Sequence, residues 1–349
     1  MQTFFIVAIL VLGFLITFQI AKASEYVAVL RGEEKARKQT NRINAFMLLM
    51  FLIIGLIGVY YCNEKLKGKI LGTPASDHGV LIDRMLYITL AITFVVFIIT
   101  QVALFWFSFK YQHSDKRKAY YYPHNNKLEL IWTVVPAIAL TVLVGFGIFY
   151  WFKITGKAPK NAMEVEVIGS QFKWEYRYPG KDKIFGKKYY KKTDEAKANP
   201  LGQLWDDPAN HDDIYIAGDA LHLVVNKPVR MIINAKDVIH DVGLAHFRMK
   251  MDAVPGTPTT MWFTPTKTTK QMIEETGNPD FVYEISCDQM CGKGHTGMRG
   301  TIIVETQEEL DAWLAGKKPQ YLAANPDKDP SVKKDTTAAV KPVAAVMNQ

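Results

Sequence analysis

Phe172-Lys173-Trp174-Glu175-Tyr176-Arg177-Tyr178 alternates aromatic and charged residues without a break. A period of two puts the aromatics on one face of an extended chain, which predicts a half-buried strand. Stretches 163–168, 221–225, 229–234, 281–286 and 301–305 also read as short strands, separated by Gly, Pro and Asn turns. Several such strands within 155–316 predict an all-β sandwich or barrel. The Lys-, Asp-, Asn- and Pro-rich stretch 180–213 is expected as an inserted surface loop, and Gln307–Ala315 as a short terminal helix. Residues 317–349 have few large apolar side chains to offset the entropy of ordering, so a disordered tail is expected there.

Upstream of this region the composition changes. Segments 3–20, 43–61, 85–109 and 128–152 are apolar and almost free of charge, and a membrane-crossing helix takes roughly 20 residues. Tyr87, Trp106, Trp132, Tyr150 and Trp151 stand near the ends of the last two, as interfacial aromatics do. Lys22, Arg31, Lys35, Arg37, Lys38 and Arg42 separate the first two segments, and Lys116, Arg117, Lys118 and Lys127 the last two; 62–84 is less basic. The positive-inside bias then makes 22–42 and 112–127 cytoplasmic and places both termini, and everything after Phe152, outside. Much of the net charge of +8 is accounted for in this way. No basic stripe with interleaved aromatics occurs, so a nucleic-acid partner is not expected. Ala21-Lys22-Ala23 resembles a signal-peptidase site. However, Met1-Gln2-Thr3 carries no basic residue, and cleavage would leave three spans and bring the C-terminal region inside. An uncleaved first span is expected. The expected organisation is an α-helical anchor of four spans over 1–154, an extracytoplasmic β-domain over 155–316 and the tail.

The chemistry is concentrated in Cys287-Asp288-Gln289-Met290-Cys291-Gly292-Lys293-Gly294-His295-Thr296-Gly297-Met298. Two thiols, an imidazole and a thioether within one loop suit copper, zinc or iron–sulfur. Iron–sulfur sites mostly need four thiolates, and the chain has three cysteines in all, with Cys62 alone at the end of an apolar run. Zinc stays open by spacing. A thioether closing a Cys…His loop favours copper. No C-x-x-C-H occurs, so no covalently attached haem is encoded.

This loop resembles the dinuclear copper (CuA) loop of the cytochrome c oxidase subunit II family, C-x-x-x-C-x-x-x-H-x-x-M. Asp237-Val238-Ile239-His240 is similar to that family's first histidine motif, and Lys250-Met251-Asp252-Ala253-Val254-Pro255-Gly256 follows at the family's distance. Leu128-Glu129-Leu130-Ile131-Trp132-Thr133-Val134-Val135-Pro136 is similar to the start of the family's second membrane helix. The likeness covers roughly 85–316, and the two spans before it are extra. It implies a cupredoxin-like sandwich in which Cys287 and Cys291 bridge two copper ions. His240 and His295 would ligate one copper each, with Met298 and the backbone carbonyl of Gln289 as weak axial ligands. His246 is expected to lie at the surface or behind the ligands.

The resemblance also implies secondary sites, with departures. The aromatic pair that receives electrons falls on Phe172, where the family has Trp, and on Trp174, which is retained. Gln289 replaces a Glu that binds magnesium, and a neutral amide is a poorer ligand for a hard cation, so magnesium is not expected here. Asp237 matches an acidic residue that docks the basic cytochrome. Arg177, Lys181, Lys183, Lys187 and Lys188 make the following region basic where the family is acidic. The expected donor is therefore an acidic or tethered c-type cytochrome, or one held within a supercomplex. Glu129 matches a carboxylate at the mouth of a proton channel; a helix-start Glu favoured by the macrodipole is its plainer reading.

The implied function is that of subunit II of a terminal oxidase in the bacterial inner membrane, with the β-domain periplasmic. It would take electrons from the cytochrome and hand them to the haem–copper catalytic subunit, subunit I, for oxygen reduction coupled to proton pumping. No centre for oxygen reduction is expected in this chain itself. Its partners would be subunit I, other oxidase subunits and membrane lipid. Rival readings are a quinol oxidase subunit II, a CuA-bearing subunit of a nitric oxide reductase, and a membrane-tethered copper carrier. The quinol branch typically lacks the copper ligands, all of which are present here.

Overall fold

A computed structural model describes residues 2–67, 72–114 and 116–331. The chain divides into two compact units, one comprising residues up to 72 and 84–147, the other 73–83 and 148 onward.

The first unit is helical. Its elements are α1 (Gln2–Arg31), α2 (Glu33–Leu66), and most of α3 (Asp77–Lys110) and α4 (Asn126–Thr155). Helices α2, α3 and α4 are each long and apolar enough to cross a membrane. The segment expected as a first span, 3–20, falls within α1, and the side chains of residues 1–10 lie outside those described. Hydroxyls within these helices turn back on their own backbone. Thr17, Thr89, Thr100, Ser108 and Thr141 each donate to the carbonyl four residues earlier, at 2.8–2.9 Å. That satisfies polar groups for which hydrocarbon offers no partner. Helix α2 extends N-terminally beyond its apolar run because Glu33–Arg42 is rich in good helix formers, and Lys38 pairs with Glu34 at 2.6 Å.

The second unit is a β-sandwich. Its strands are β1 (Met163–Ser170), β2 (Lys173–Tyr178), β3 (Ile214–Ala217), β4 (Leu221–Val224), β5 (Val229–Ala235), β6 (His240–Leu244), β7 (Met249–Ala253) and β8 (Thr259–Phe263). Helix α5 (Thr269–Thr276), β9 (Tyr283–Cys287), β10 (Arg299–Glu305), α6 (Gln307–Ala315) and α7 (Gln320–Ala324) follow. The sheets run β3-β2-β1-β5-β8 and β4-β10-β9-β6-β7. Pairing is antiparallel except for β1 with β5 and β10 with β4. Val165, Val167, Tyr176 and Met231 of one sheet and Leu223, Val242, Ile285 and Ile302 of the other are buried in one shared core.

Three expectations change. First, β2 is buried on both faces: Glu175 and Arg177 are as inaccessible as the aromatics between them. The 180–213 insertion is a packed lobe that covers the sheet. Its Gly186 carbonyl accepts from Arg177 at 2.7 Å, and its Asn210 side chain does so at 2.9 Å. Second, residues 317–331 are ordered against that lobe, so the expected tail does not begin at 317. Tyr321 stacks on His211 at 3.9 Å, and the Gln320 amide donates to the Asp213 carbonyl at 3.0 Å. An aromatic and a few hydrogen bonds supply what composition alone did not suggest; 332–349 lie outside the described residues. Third, 73–83 belongs with the sandwich rather than the anchor. Ala75 and Ser76 are fully buried, Ser76 donates to the Phe247 carbonyl at 2.7 Å, and Asp83 pairs with Arg248 at 2.8 Å.

Candidate metal centre

The ligand loop leaves β9 at Cys287 and rejoins the sheet at β10. The Cys287 amide donates to the Met298 carbonyl at 3.1 Å, closing the loop on itself, and the Asp288 amide donates to the Asp241 carbonyl at 3.3 Å, tying it to β6. Gly292 has φ +132, a conformation side chains rarely adopt. A Cβ at Gly294 would lie 2.5 Å from the Phe172 ring, so that ring can cover the loop only if residue 294 is glycine.

Six donors converge. The two thiol sulfurs lie 3.7 Å apart, too far for a disulfide, whose S–S length is about 2.05 Å. Around Cys287 Sγ stand His240 Nδ1 at 3.8 Å and the Gln289 carbonyl oxygen at 3.1 Å. Around Cys291 Sγ stand His295 Nδ1 at 3.7 Å and Met298 Sδ at 3.9 Å. His240, Cys287 and Cys291 form a buried group with metal-binding geometry, and Met298 is fully buried. Burial, reinforced by Cys287, pushes the Cys291 thiol up to about 11. A metal must therefore displace the Cys291 proton on binding. Soft sulfur and imidazole in this arrangement fit copper.

The donors are held from behind. His240 Nε2 lies 2.8 Å from Asp237 Oδ1, and the Gln171 amide donates to Asp237 Oδ2 at 2.7 Å. Burial works against ionisation of Asp237, but its bonds from His240, Gln171 and Val238 prevail and hold the carboxyl below its ordinary value. The Gln171 side chain donates to the Cys291 carbonyl at 2.5 Å. Gly169 is required where it stands, since a Cβ there would meet the His240 ring at 2.9 Å. No motif marks Gln171 as part of the site; its role rests on contacts with residues 66 and 120 positions away.

The other expected residues are placed as follows. Phe172 is 40% exposed and lies over Gly292 and Gly294. Trp174 is buried and sits edge-on to His240, ring centroids 6.1 Å apart. Asp237 retains one third of its side-chain exposure, 33%, with both oxygens engaged. Of the five basic residues taken for a surface patch, Arg177 is buried against Glu166 and Asp213, and Lys188 is bonded to Glu166. That leaves Lys181, Lys183 and Lys187 exposed. His246 is half-buried, edge-on to Phe281 and Tyr283 at 5.1 and 5.5 Å, which makes it an aromatic-core residue rather than a surface one. Glu129, in the first turn of α4, accepts from the Asn125 amide at 3.3 Å.

The chain matches the family model for the transmembrane domain of cytochrome c oxidase subunit II over residues 73–150 and the model for its periplasmic domain over 163–306. It is similar to the alternative cytochrome c oxidase subunit 2 of Bradyrhizobium diazoefficiens, 33% identical over 246 residues, covering 70% of this chain and 83% of that protein. It is also similar to cytochrome c oxidase subunit 2 of Cereibacter sphaeroides, 29% identical over 236 residues, covering 66% and 72%. Among solved structures, the periplasmic domain of subunit II of the Bradyrhizobium japonicum oxidase covers 47% of this chain and 99% of its own, at 22% identity and a TM-score of 0.33. That superposition is too loose to add to the strand order above. Residues 1–72 precede both family matches, in keeping with extra N-terminal segments. The family is a copper-binding component of an oxidoreductase complex, membrane-held with a periplasmic domain. By these matches, this chain belongs to the cytochrome c oxidase subunit II family.

Proposed function

We propose that this chain is the electron-receiving subunit of a proton-pumping haem–copper oxidase, anchored by four spans in a bacterial inner membrane. Its donor is a c-type cytochrome on the periplasmic side. The observation that carries the reading is the paired donor set. Two sulfurs 3.7 Å apart each have their own imidazole Nδ1 and one further weak donor. One tetrahedral zinc needs four ligands, whereas two metals sharing both sulfurs use all six. Cys287, Cys291, His240, His295, Met298 Sδ and the Gln289 carbonyl would together hold two copper ions.

Copper held there would supply one-electron transfer. The protein's share is rigidity and exclusion of water. Cys287, Cys291, Met298 and His240 are buried, and Asp237 and Gln171 fix the loop and ring that carry the donors. Phe172 at the surface and Trp174 against His240 form the proposed receiving pair. The surrounding rim exposes Val238, Ile239 and Met290. Lys293 and Asp288 of the loop are exposed and offset each other, Lys173 pairs with Glu175 at 3.1 Å, and Asp237 is engaged inward, so the rim carries no acidic surplus. This rim suits a donor that is acidic or tethered. A steep loss of turnover with added salt, using a strongly basic cytochrome c, would contradict that choice of donor.

The deciding experiment is electron paramagnetic resonance on the full-length chain loaded with copper. The expected signal is one electron shared equally between two coppers, abolished by Cys287→Ser. A single-copper pattern would overturn the dinuclear reading.

A further inference from the structure

The last turn of α4 and the linker after it form one wall of a cleft of about 1690 Å³ in the β-unit. Trp151 and Ile154 line it from the helix end, and Met261, Trp262, Leu310 and Leu314 from the sheet and α6. The wall is fixed, because the Trp262 indole donates to the Gly156 carbonyl at 2.8 Å.

Charge around the cleft is one-sided. Seven Lys and Arg side chains line it against two carboxylates, Glu164 and Asp311. Four of the cations are occupied. Arg230 pairs with Glu164 at 2.6 Å, Lys250 with Asp241 at 3.1 Å and Arg248 with Asp83 at 2.8 Å, and Lys227 donates to Gln307 at 2.7 Å. Lys157, Lys160 and Lys183 have no side-chain partner among the described residues. Their position is unusual for a second reason. Lys157 and Lys160 follow membrane-capable α4, whose last turn carries Lys153, on the side leading to the periplasmic domain, where the positive-inside bias predicts few basic residues. Topology does not account for them, whereas a ligand would.

We propose that this cleft binds an anionic phospholipid. Lys157, Lys160 and Lys183 would hold the phosphodiester, and the glycerol end of the acyl chains would lie against Trp151 and Ile154. Ammonium groups are effective point-charge partners for phosphate, and aromatic rings at a helix end suit the headgroup level. The apolar lining where a spanning helix ends distinguishes a lipid from a free anion. A partner subunit fits less well, because the buried parts of protein interfaces are depleted in lysine. The inference is independent of how many metals the loop binds.

The test is photo-crosslinking in the assembled, detergent-purified oxidase. Photoactivatable phosphatidylglycerol is compared with phosphatidylcholine carrying the same reactive group, and labelled peptides are mapped. Phosphatidylglycerol should label 151–164 or 248–262 about tenfold more than phosphatidylcholine, as expected where several lysines face an anionic lipid. Excess inorganic phosphate should leave the labelling in place. The combined Lys157→Gln, Lys160→Gln, Lys183→Gln variant should lose the preference, and the corresponding Arg variant should keep it. An unaltered copper signal shows that each variant is folded. Equal labelling by both lipids, displacement by inorganic phosphate, or crosslinks showing a neighbouring subunit filling the cleft would each overturn the proposal.

Discussion

His240 presents opposite edges of its ring to two different tasks: Nε2 lies 2.8 Å from Asp237 Oδ1, and Nδ1 faces the Cys287 sulfur at 3.8 Å. A carboxylate on one nitrogen holds the proton there and leaves the lone pair of the other free for a metal. Asp237, expected from its sequence match to dock the donor, therefore has a nearer role in orienting a ligand.

Asp237→Ala should lower copper affinity about 10–100-fold, the usual cost of losing such a support, with the β-fold intact. Competition against a chelator of known strength, with circular dichroism as the fold control, measures this. Unchanged affinity would return Asp237 to a purely docking role.

Phe172→Ala tests the receiving surface. Phe172 covers Gly292 and Gly294 but supplies no donor atom, so copper content should hold. With the cytochrome donor, kcat/KM should fall about tenfold, as for loss of one aromatic anchor. Turnover driven by a small-molecule reductant should not change. A parallel loss with both reductants would mean that the ring serves only to pack the loop.

Arg177 joins β2 to the insertion. Its guanidinium donates to Asp213 at 3.1 Å and Glu166 at 3.3 Å, and lies over the Phe185 ring at 5.0 Å. Replacing it with Met would leave the buried Asp213 without its charged partner, a change that typically costs about 3–5 kcal/mol, whereas Glu166 keeps Lys188 and Asn234. Chemical denaturation of Arg177→Met, followed by tryptophan fluorescence, should show a loss of that order. A loss within experimental error would mean the lobe moves aside to hydrate Asp213.

Legibility in the sequence followed the distance between partners. The ligand loop could be read because every side-chain donor except His240 falls within twelve residues. Strand β2 could be read from its alternation, but the burial of its charged face could not, since Arg177 finds Asp213 36 positions later. Strand β6, His240–Leu244, is buried on both faces and offers no alternation. The place of 73–83 could not be read because its partners are distant in sequence: Ser76 bonds to Phe247 171 positions later and Asp83 pairs with Arg248 165 positions later, while the Ala75 amide donates to the His246 carbonyl at 2.9 Å. No local pattern marks partners so far apart.

Asp329 anchors the ordered part of the tail. Its bonds from Lys318 and Ser331 hold its carboxyl at about 2, below the ordinary 3.8. A depressed carboxyl stabilises the folded state fully above its unfolded value and loses that contribution as pH falls through its folded one. Exchange protection of 317–331, corrected for intrinsic rates, should therefore be flat between about pH 5 and 8 and decline as pH drops toward 2. Asp329→Asn should show the reduced protection already at neutral pH. A wild-type decline near neutrality would assign the anchoring to another group.

Glu129 has two readings that a pair of substitutions separates. Its carboxylate accepts from the Asn125 amide at 3.3 Å while Asn125 accepts from the Leu128 amide at 3.1 Å, together closing the start of α4. Glutamine keeps the acceptor oxygen but cannot carry a proton, so Glu129→Gln should leave assembly intact. If the carboxylate feeds a proton channel, that variant should slow proton uptake by about tenfold or more. Glu129→Ala removes both properties, and loss of the helix-start contact should cost about 1 kcal/mol in addition. Uptake measured in sealed vesicles, alongside complex yield, separates the two. Wild-type uptake in the Gln variant with reduced yield in the Ala variant would make Glu129 a helix cap alone.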